Sequence, residues 1–390
     1  MGMVAKPSYD LLLTSDHVKC TAEELDGPGV VAILDGRIVD VAVVGQQSIE
    51  RGAALAGAPT QEKRDFGSAW LLPGLIDLHA HVSGDGTHVH GVDASRDVLP
   101  WGTTTVMSQG DAGADNLDRY VEKTILKSPA RLLLAINLSR AGEKRSGTFD
   151  SIEDADVEAC VRGVERHAEY VWGISINVSH HACASTAPQR VLKRGLEVAR
   201  QTELPILFGM RRPQDWPLAE QLALLRAGDV VTYCFRREPH CIVDLQRQRV
   251  LPEVVAARRR GILFDVGHGT ASFDPEVAHL AIAEGFLPDT ISTDLQQRHL
   301  GKCPRHTLPR VMEKLHAAGM SWRDVLFAVT SRPSEILRRT EEFGCLAVGS
   351  CADLVALHTP SELGTSARKV TLPDEENDLV EQVVRAGQLL

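Results

Sequence analysis

The sequence predicts an α/β protein: a closed parallel (β/α)8 barrel carrying a small β domain that both chain ends build. Three observations predict it. Between residues 71 and 345, strand-like apolar runs alternate with stretches of helical periodicity. Outside that range, at 1–70 and 346–390, the chain reads as short strands and turns. The residues best suited to chemistry fall at the ends of barrel strands, where active sites of this architecture gather.

Taken in order, Tyr9 to Thr14, Val30 to Leu34 and Arg37 to Val44 read as strands, and Asp35-Gly36 between the last two is a hairpin turn. Such strands cannot close a core alone. The far end offers partners in Gly349 to Leu357, Lys369 to Leu372 and Val380 to Val384. The barrel strands are expected at Leu75–Val82, Thr103–Ser108, Arg131–Leu138, Val171–Val178, Pro205–Phe208, Val230–Phe235, Ile262–Val266 and Thr290–Thr293. Arg190–Arg200, Leu218–Ala227, Leu251–Arg260 and Pro275–Glu284 carry helical periodicity between them.

Composition narrows the function. The chain has 390 residues, 43% apolar and 24% charged, the balance of a globular protein. A net charge of −10 argues against nucleic-acid or anionic-membrane partners. Eight cysteines without CxxC spacing indicate neither a disulfide framework nor a zinc ribbon. No segment approaches the roughly 18 apolar residues of a membrane span, and the start lacks a signal-peptide core. The expectation is a cytoplasmic protein without nucleic-acid or membrane partners, assembled as a homo-oligomer.

The run Leu71-Leu72-Pro73-Gly74-Leu75-Ile76-Asp77-Leu78-His79-Ala80-His81-Val82 organises the rest. Alternate side chains of a strand share a face, so His79 and His81 project together and can bind one metal ion as neutral imidazoles. His-x-His pairs arise often by chance. Position decides here: the pair ends a buried-strand pattern, and Asp294 ends another far downstream.

The first of these runs, together with Phe264-Asp265-Val266-Gly267-His268-Gly269-Thr270-Ala271-Ser272-Phe273, Pro288-Asp289-Thr290-Ile291-Ser292-Thr293-Asp294-Leu295 and Gly349-Ser350-Cys351-Ala352-Asp353-Leu354-Val355, resembles the amidohydrolase superfamily. The nearest likeness is to its amidohydrolase/deacetylase branch, close to dihydroorotase, over almost the whole chain. The resemblance implies a distorted (β/α)8 TIM barrel plus a small β-sandwich domain formed by both chain ends, and metal-dependent hydrolysis. It also implies a carboxylated lysine on strand four and histidines on strands five and six, holding two zinc ions. This chain has Ser175, Gly209 and Tyr233 there. Three ligands remain, His79, His81 and Asp294, so one divalent ion is expected rather than two. Zinc comes first, with iron or manganese as alternatives.

Replacement ligands are weighed next. If strand four stays regular past Ser175, parity turns Asn177, Ser179 and His181 inward; a bulge would substitute His180. His88 and His90 follow strand one and can fold over the mouth. Each of these four histidines reads first as a loop or supporting residue, since such histidines outnumber ligands, and second as a ligand. Tyr233 reads as a polar contact near the site before a ligand. Cys234 reads as a small buried hydrophobe facing outward. His268 has two readings of equal weight: a functional one, as a donor to substrate or a residue orienting Asp294, and a residue packed beneath a tight turn shaped by Gly267 and Gly269.

Arg211-Arg212 and Arg236-Arg237 follow strands five and six, and Arg140 and Arg145 follow strand three. Guanidinium forks match carboxylates, so Arg211 and Arg236 are the expected contacts for a small anionic substrate. Pairing with Asp215 and Glu238 is the competing reading. The expected reaction is hydrolysis of a C–N bond (amide, cyclic amide or N-acyl) or a C–O ester bond. Asp294 is the general base, and His268 and Tyr233 steady the oxyanion. The rivals are a metal-dependent decarboxylase or lyase on the same barrel, and a degenerate binding protein without catalysis.

Overall fold

A computed structural model of the chain describes residues 8–46, 49–83, 90–144, 146–237, 241–358 and 379–390. The strands, in chain order, are β1 (Tyr9–Cys20), β2 (Leu25–Leu34), β3 (Arg37–Val43), β4 (Thr60–Asp65), β5 (Trp70–Pro73), β6 (Leu75–Ala80), β7 (Thr103–Gln109), β8 (Arg131–Asn137), β9 (Val171–Asn177), β10 (Ile206–Gly209), β11 (Val230–Thr232), β12 (Val243–Asp244), β13 (Arg249–Val250), β14 (Leu263–Phe264), β15 (Leu354–Leu357), β16 (Val380–Arg385) and β17 (Gln388–Leu389). Two compact units emerge: one takes in the chain to Ile76 with Val98–Thr104 and Leu326–Leu390, and the other Asp77–Asp97 with Thr105–Val325.

The first unit is an eight-stranded sheet from both chain ends, ordered β17-β16-β15-β5-β1-β2-β3, with β4 beside β1. Strand alternation gives it two apolar faces. Leu11, Leu13, Val31 and Ile33 enter one core with Leu71 and Leu354. Leu12, Val30, Ala32 and Ala42 enter another, covered by Leu55 of helix Ile49–Ala56. The Asp35-Gly36 turn forms as expected, with φ of 52° and 73°, because a two-residue hairpin of this hand needs positive φ at both positions. The expected strand at Lys369–Leu372 lies outside the described residues.

The second unit is the (β/α)8 barrel. Its parallel sheet runs β14-β11-β10-β9-β8-β7-β6, with helices such as Pro188–Thr202, Pro252–Arg259 and Pro275–Ala283 between strands. The expected eighth strand, Thr290–Thr293, is not a regular ladder. Single bridges, Asp265 to Thr290 on one side and Ala80 to Leu295 on the other, close the cylinder there. Backbone bonds from Val266 to Thr290, His268 to Ser292 and Asp294 to His79 complete the closure. Two expected strands end early. β11 stops at Thr232 because Tyr233 turns left-handed (φ 66°), and β9 stops at Asn177 because Ser179 caps a short helix, His180–Cys183. Among the described residues no helix is long and apolar enough to cross a membrane.

Candidate functional site

Three expected residues meet. One ligand atom from each of His79, His81 and Asp294 lies within 4.8 Å of the others, and all three residues are buried. β6 places Asp77, His79 and His81 on one face by period-two alternation. Asp77 accepts from the backbone N–H groups of His79 and Thr293 and from the Thr293 hydroxyl, which ties β6 to the segment carrying Asp294. Burial lifts the Asp77 pKa to about 7.

Outer partners fix which imidazole nitrogen is available. His81 Nδ1 lies 2.7 Å from Asp111 Oδ1, so it carries the proton and donates. Asp111 is itself held by Val82 N–H and the Ser108 hydroxyl. His79 Nδ1 lies 2.7 Å from the Thr232 hydroxyl, which donates onward to Asp265 at 2.8 Å. Asp265 accepts two further hydroxyls, from Thr290 and Ser292. Both Nε2 atoms are thereby left as lone-pair donors toward Asp294 Oδ1, at 3.5 Å from His79 and 3.3 Å from His81. Imidazoles buttressed through Nδ1 by carboxylates, with Nε2 converging on a third carboxylate, are the donor set of a divalent metal site. The residues fit such an ion.

Electrostatics agree. Burial disfavours charge on His79, yet Asp265 and Asp294 outweigh it and lift its pKa to about 9. The same contest, with Asp111 the main partner, lifts His81 to about 10. Asp294 is driven well below the usual carboxylate range: burial opposes this, and the two imidazoles prevail. Protons and a cation therefore compete for one set of lone pairs.

Asp294 reaches this position through a left-handed backbone (φ 50°), and Tyr233 does likewise. Gly269 makes room, since a Cβ there would stand 2.5 Å from Asp294 Oδ2. Gly267 does the same beneath His79, where a Cβ would meet the Thr232 hydroxyl at 2.3 Å. Gln296 Nε2 donates to Asp294 Oδ1 at 2.6 Å. The Tyr233 hydroxyl lies 3.3 Å from His79 Nε2 and 3.4 Å from Gln109 Oε1. Burial, then the Asp294 and Glu143 charges, keeps it a neutral phenol.

Other expected residues lie elsewhere. His268 has both ring nitrogens engaged: Nδ1 donates to Gly269 O at 2.8 Å, and Nε2 accepts from Lys314 Nζ at 3.0 Å. Its ring stacks on Phe273, and burial with the Lys314 charge lowers its pKa to about 3. His180 and His181 are exposed on their short helix, because the strand ends before parity can turn His181 inward. The ring of His90 lies 5.6 Å from that of His81, while His88 falls outside the described residues. Cys234 is buried, its N–H bonded to Asp265 O.

The arginines separate. Arg211 is buried, paired with Asp215 at 2.9 Å and bonded to His180 Nδ1 at 2.8 Å. Arg212 shares Asp215, Arg237 pairs with Asp274 and Glu276, and Arg140 pairs with Asp115 and Asp156. Arg236 differs in making no ion pair among the described residues; it is half-buried, and its buried Nε, like Arg211 Nη1, lacks a hydrogen-bond partner. Burial lowers its pKa. Arg145 and Glu238 lie outside the described residues.

Sequence reasoning missed Asp77, Asp111, Asp265, Gln296 and Glu143. A signal existed for the first, a charge two residues before His79 on a buried face. Asp111 and Glu143 follow strands two and three in turns whose folding the sequence does not display.

No family model matches the chain. A deacetylase of Agrobacterium fabrum is 32% identical over 306 residues, covering 77% of this chain and 74% of that protein. A solved structure described as an adenine deaminase superposes with a TM-score of 0.81 at 23% identity, covering 98% of this chain and 99% of its own. One described as a dihydroorotase reaches 0.74 at 27% identity, covering 89% of each.

Proposed function

The chain belongs to the amidohydrolase superfamily and is a hydrolase, and from that premise we propose that it cleaves an amide, cyclic amide, N-acyl or ester bond of a small anionic molecule with one divalent ion, zinc first. The observation that carries this reading is the convergence of His79 Nε2, His81 Nε2 and Asp294 Oδ1, each imidazole committed through Nδ1 to an outer partner. A divalent ion there supplies Lewis acidity and lowers the pKa of bound water.

The chain's own groups do the remainder. Asp111, and Thr232 with Asp265, fix both imidazole tautomers, so the lone pairs need no reorganisation. Asp294 Oδ1 faces the imidazoles and Gln296, and Oδ2, 3.8 Å from the Arg298 guanidinium, takes a proton from the attacking water and returns it to the leaving group. Tyr233, a neutral phenol beside His79, donates to the substrate oxygen as charge develops. His268 anchors the Lys314 ammonium at the rim. Arg236, whose guanidinium has no carboxylate partner among the described residues, takes the substrate anion; Arg211 is held by Asp215 and shapes the loop.

The test is elemental analysis of protein purified without chelators, followed by turnover of a panel of N-acyl amino acids, cyclic imides and aryl esters. About one divalent ion per chain is expected, lost on His79→Ala, with turnover abolished by chelation and restored by zinc. Full activity in metal-free protein rejects the reading.

A further inference from the structure

We propose that Glu143 is a further protein ligand of the ion held by His79, His81 and Asp294. The inference rests on the metal-dependent reading above. It begins with a loop built to a close tolerance. Gly142 turns left-handed (φ 80°), and a Cβ there would stand 2.5 Å from Asp111 O, so only glycine lets the loop press on the end of β7. Glu143 N–H then donates to Gly110 O at 2.8 Å, and Gly142 N–H to Ser139 O at 3.0 Å. Gly110 is itself packed against Ser175 and Asn137, where a Cβ would meet their side chains at 2.7 and 2.8 Å. The ends of β7, β8 and β9 thus converge on the glutamate's root. Its carboxylate, held by Asn137 Nδ2 at 3.3 Å, lies near enough to feel the charges of His81, Asp111 and Asp294.

Three carboxylates near one buried imidazole repel one another unless positive charge, from protons on the imidazoles or from a metal cation, sits among them. Asp111 is committed to His81 Nδ1, Val82 N–H and Ser108, and Asp294 already faces both imidazoles. Glu143 adds a second carboxylate, carried on the loop that follows β8. That suits an ion whose other protein donors number three, all from β6 and the closing segment. In the structure the carboxylate rests on Asn137 Nδ2 at 3.3 Å, a long hydrogen bond. Among the described residues only His79, His81 and Asp294 bring ligand atoms within 4.8 Å of one another, so Glu143 joins by a change of rotamer about its three torsions.

The experiment needs no substrate. Wild type, Glu143→Ala and Glu143→Gln are stripped of metal, their melting compared, and each is titrated with cobalt(II) while its visible absorption is recorded. Zinc affinity is then measured by competition with a chromophoric chelator. The expected result is a changed cobalt spectrum and at least about tenfold weaker zinc binding in Glu143→Ala. Glu143→Gln, which keeps the side-chain shape and the contact with Asn137, should be intermediate. Equal affinities with superimposable spectra overturn the role of Glu143 and leave the metal reading standing. A wild type that takes up no cobalt overturns both.

Discussion

The two sides of the barrel mouth differ in how completely each residue is held. On the side of β6 and the closing segment, every ligand has a partner behind it: Asp111 behind His81, Thr232 and Asp265 behind His79, Gln296 beside Asp294. On the side of β9, β10 and β11, the matching positions are Ser175, Gly209 and Tyr233. There the side chains are small, or, at Tyr233, carried on a left-handed backbone that ends the strand. The contrast teaches that a metal position is a layered structure. The buttressed side brings three donor residues together. On the proposed reading, the other side, which among the described residues adds no donor to the cluster, would be left to meet substrate.

The sharpest way to break the comparison is at the buttressed side. Asp294→Asn should lower turnover by about three orders of magnitude, the middle of the range for losing a proton-transfer group, while circular dichroism reports an intact fold. Residual activity near wild type would remove Asp294 from its role. Next comes the layer behind the ligands. Asp111→Asn and Thr232→Val should each weaken zinc binding by about 10- to 100-fold in a chelator competition.

Across the mouth the effects should be smaller and different in kind. Arg236→Ala should raise KM for an anionic substrate about tenfold or more with kcat little changed, as expected for a lost charged hydrogen bond. Arg211→Ala should act chiefly on melting temperature, because it leaves Asp215 without its buried partner.

A pH scan of the ion-free protein sharpens the same contrast. Both ligand histidines have folded-state pKa values above the ordinary 6.5, at about 9 and about 10. Their contribution to stability is therefore complete below pH 6.5 and is lost as pH rises through 9 to 10. The melting temperature of ion-free protein should fall across that window. Zinc uptake should release protons there, measurable as a buffer-dependent heat. The smallest expected effect is on stoichiometry. Gly209→His should leave about one ion per chain, since its Cβ would stand 3.0 Å from the Asn177 side chain and no buttress awaits a new imidazole.

Much of this was legible in sequence where the signal is local. Period-two alternation placed His79 and His81 on one face, and Asp35-Gly36 announced its hairpin. What escaped depends on where a strand stops. An apolar run through Phe235 reads as one strand, yet the backbone reverses at Tyr233 so that Cys234 N–H can reach Asp265. His181 was assigned inward by continuing β9, whereas the Ser179 hydroxyl accepts from Ala182 N–H and starts a helix. That serine is a capping residue the parity argument passed over. Glu143 gave no local sign, because its position depends on a glycine fitting against a neighbouring strand end. Arg211 and Arg236 look alike in sequence, and only the fold shows that Asp215 takes the first.

One feature of the cylinder bears on how the enzyme comes into being. The stretch bearing Asp294 forms no regular ladder; two bridges, Asp265 to Thr290 and Ala80 to Leu295, and separate backbone hydrogen bonds join it to its neighbours. The three donors straddle that seam. On the metal-dependent reading, a cation gripped by them would act as a rivet, and shutting the cylinder and arming it would become a single event.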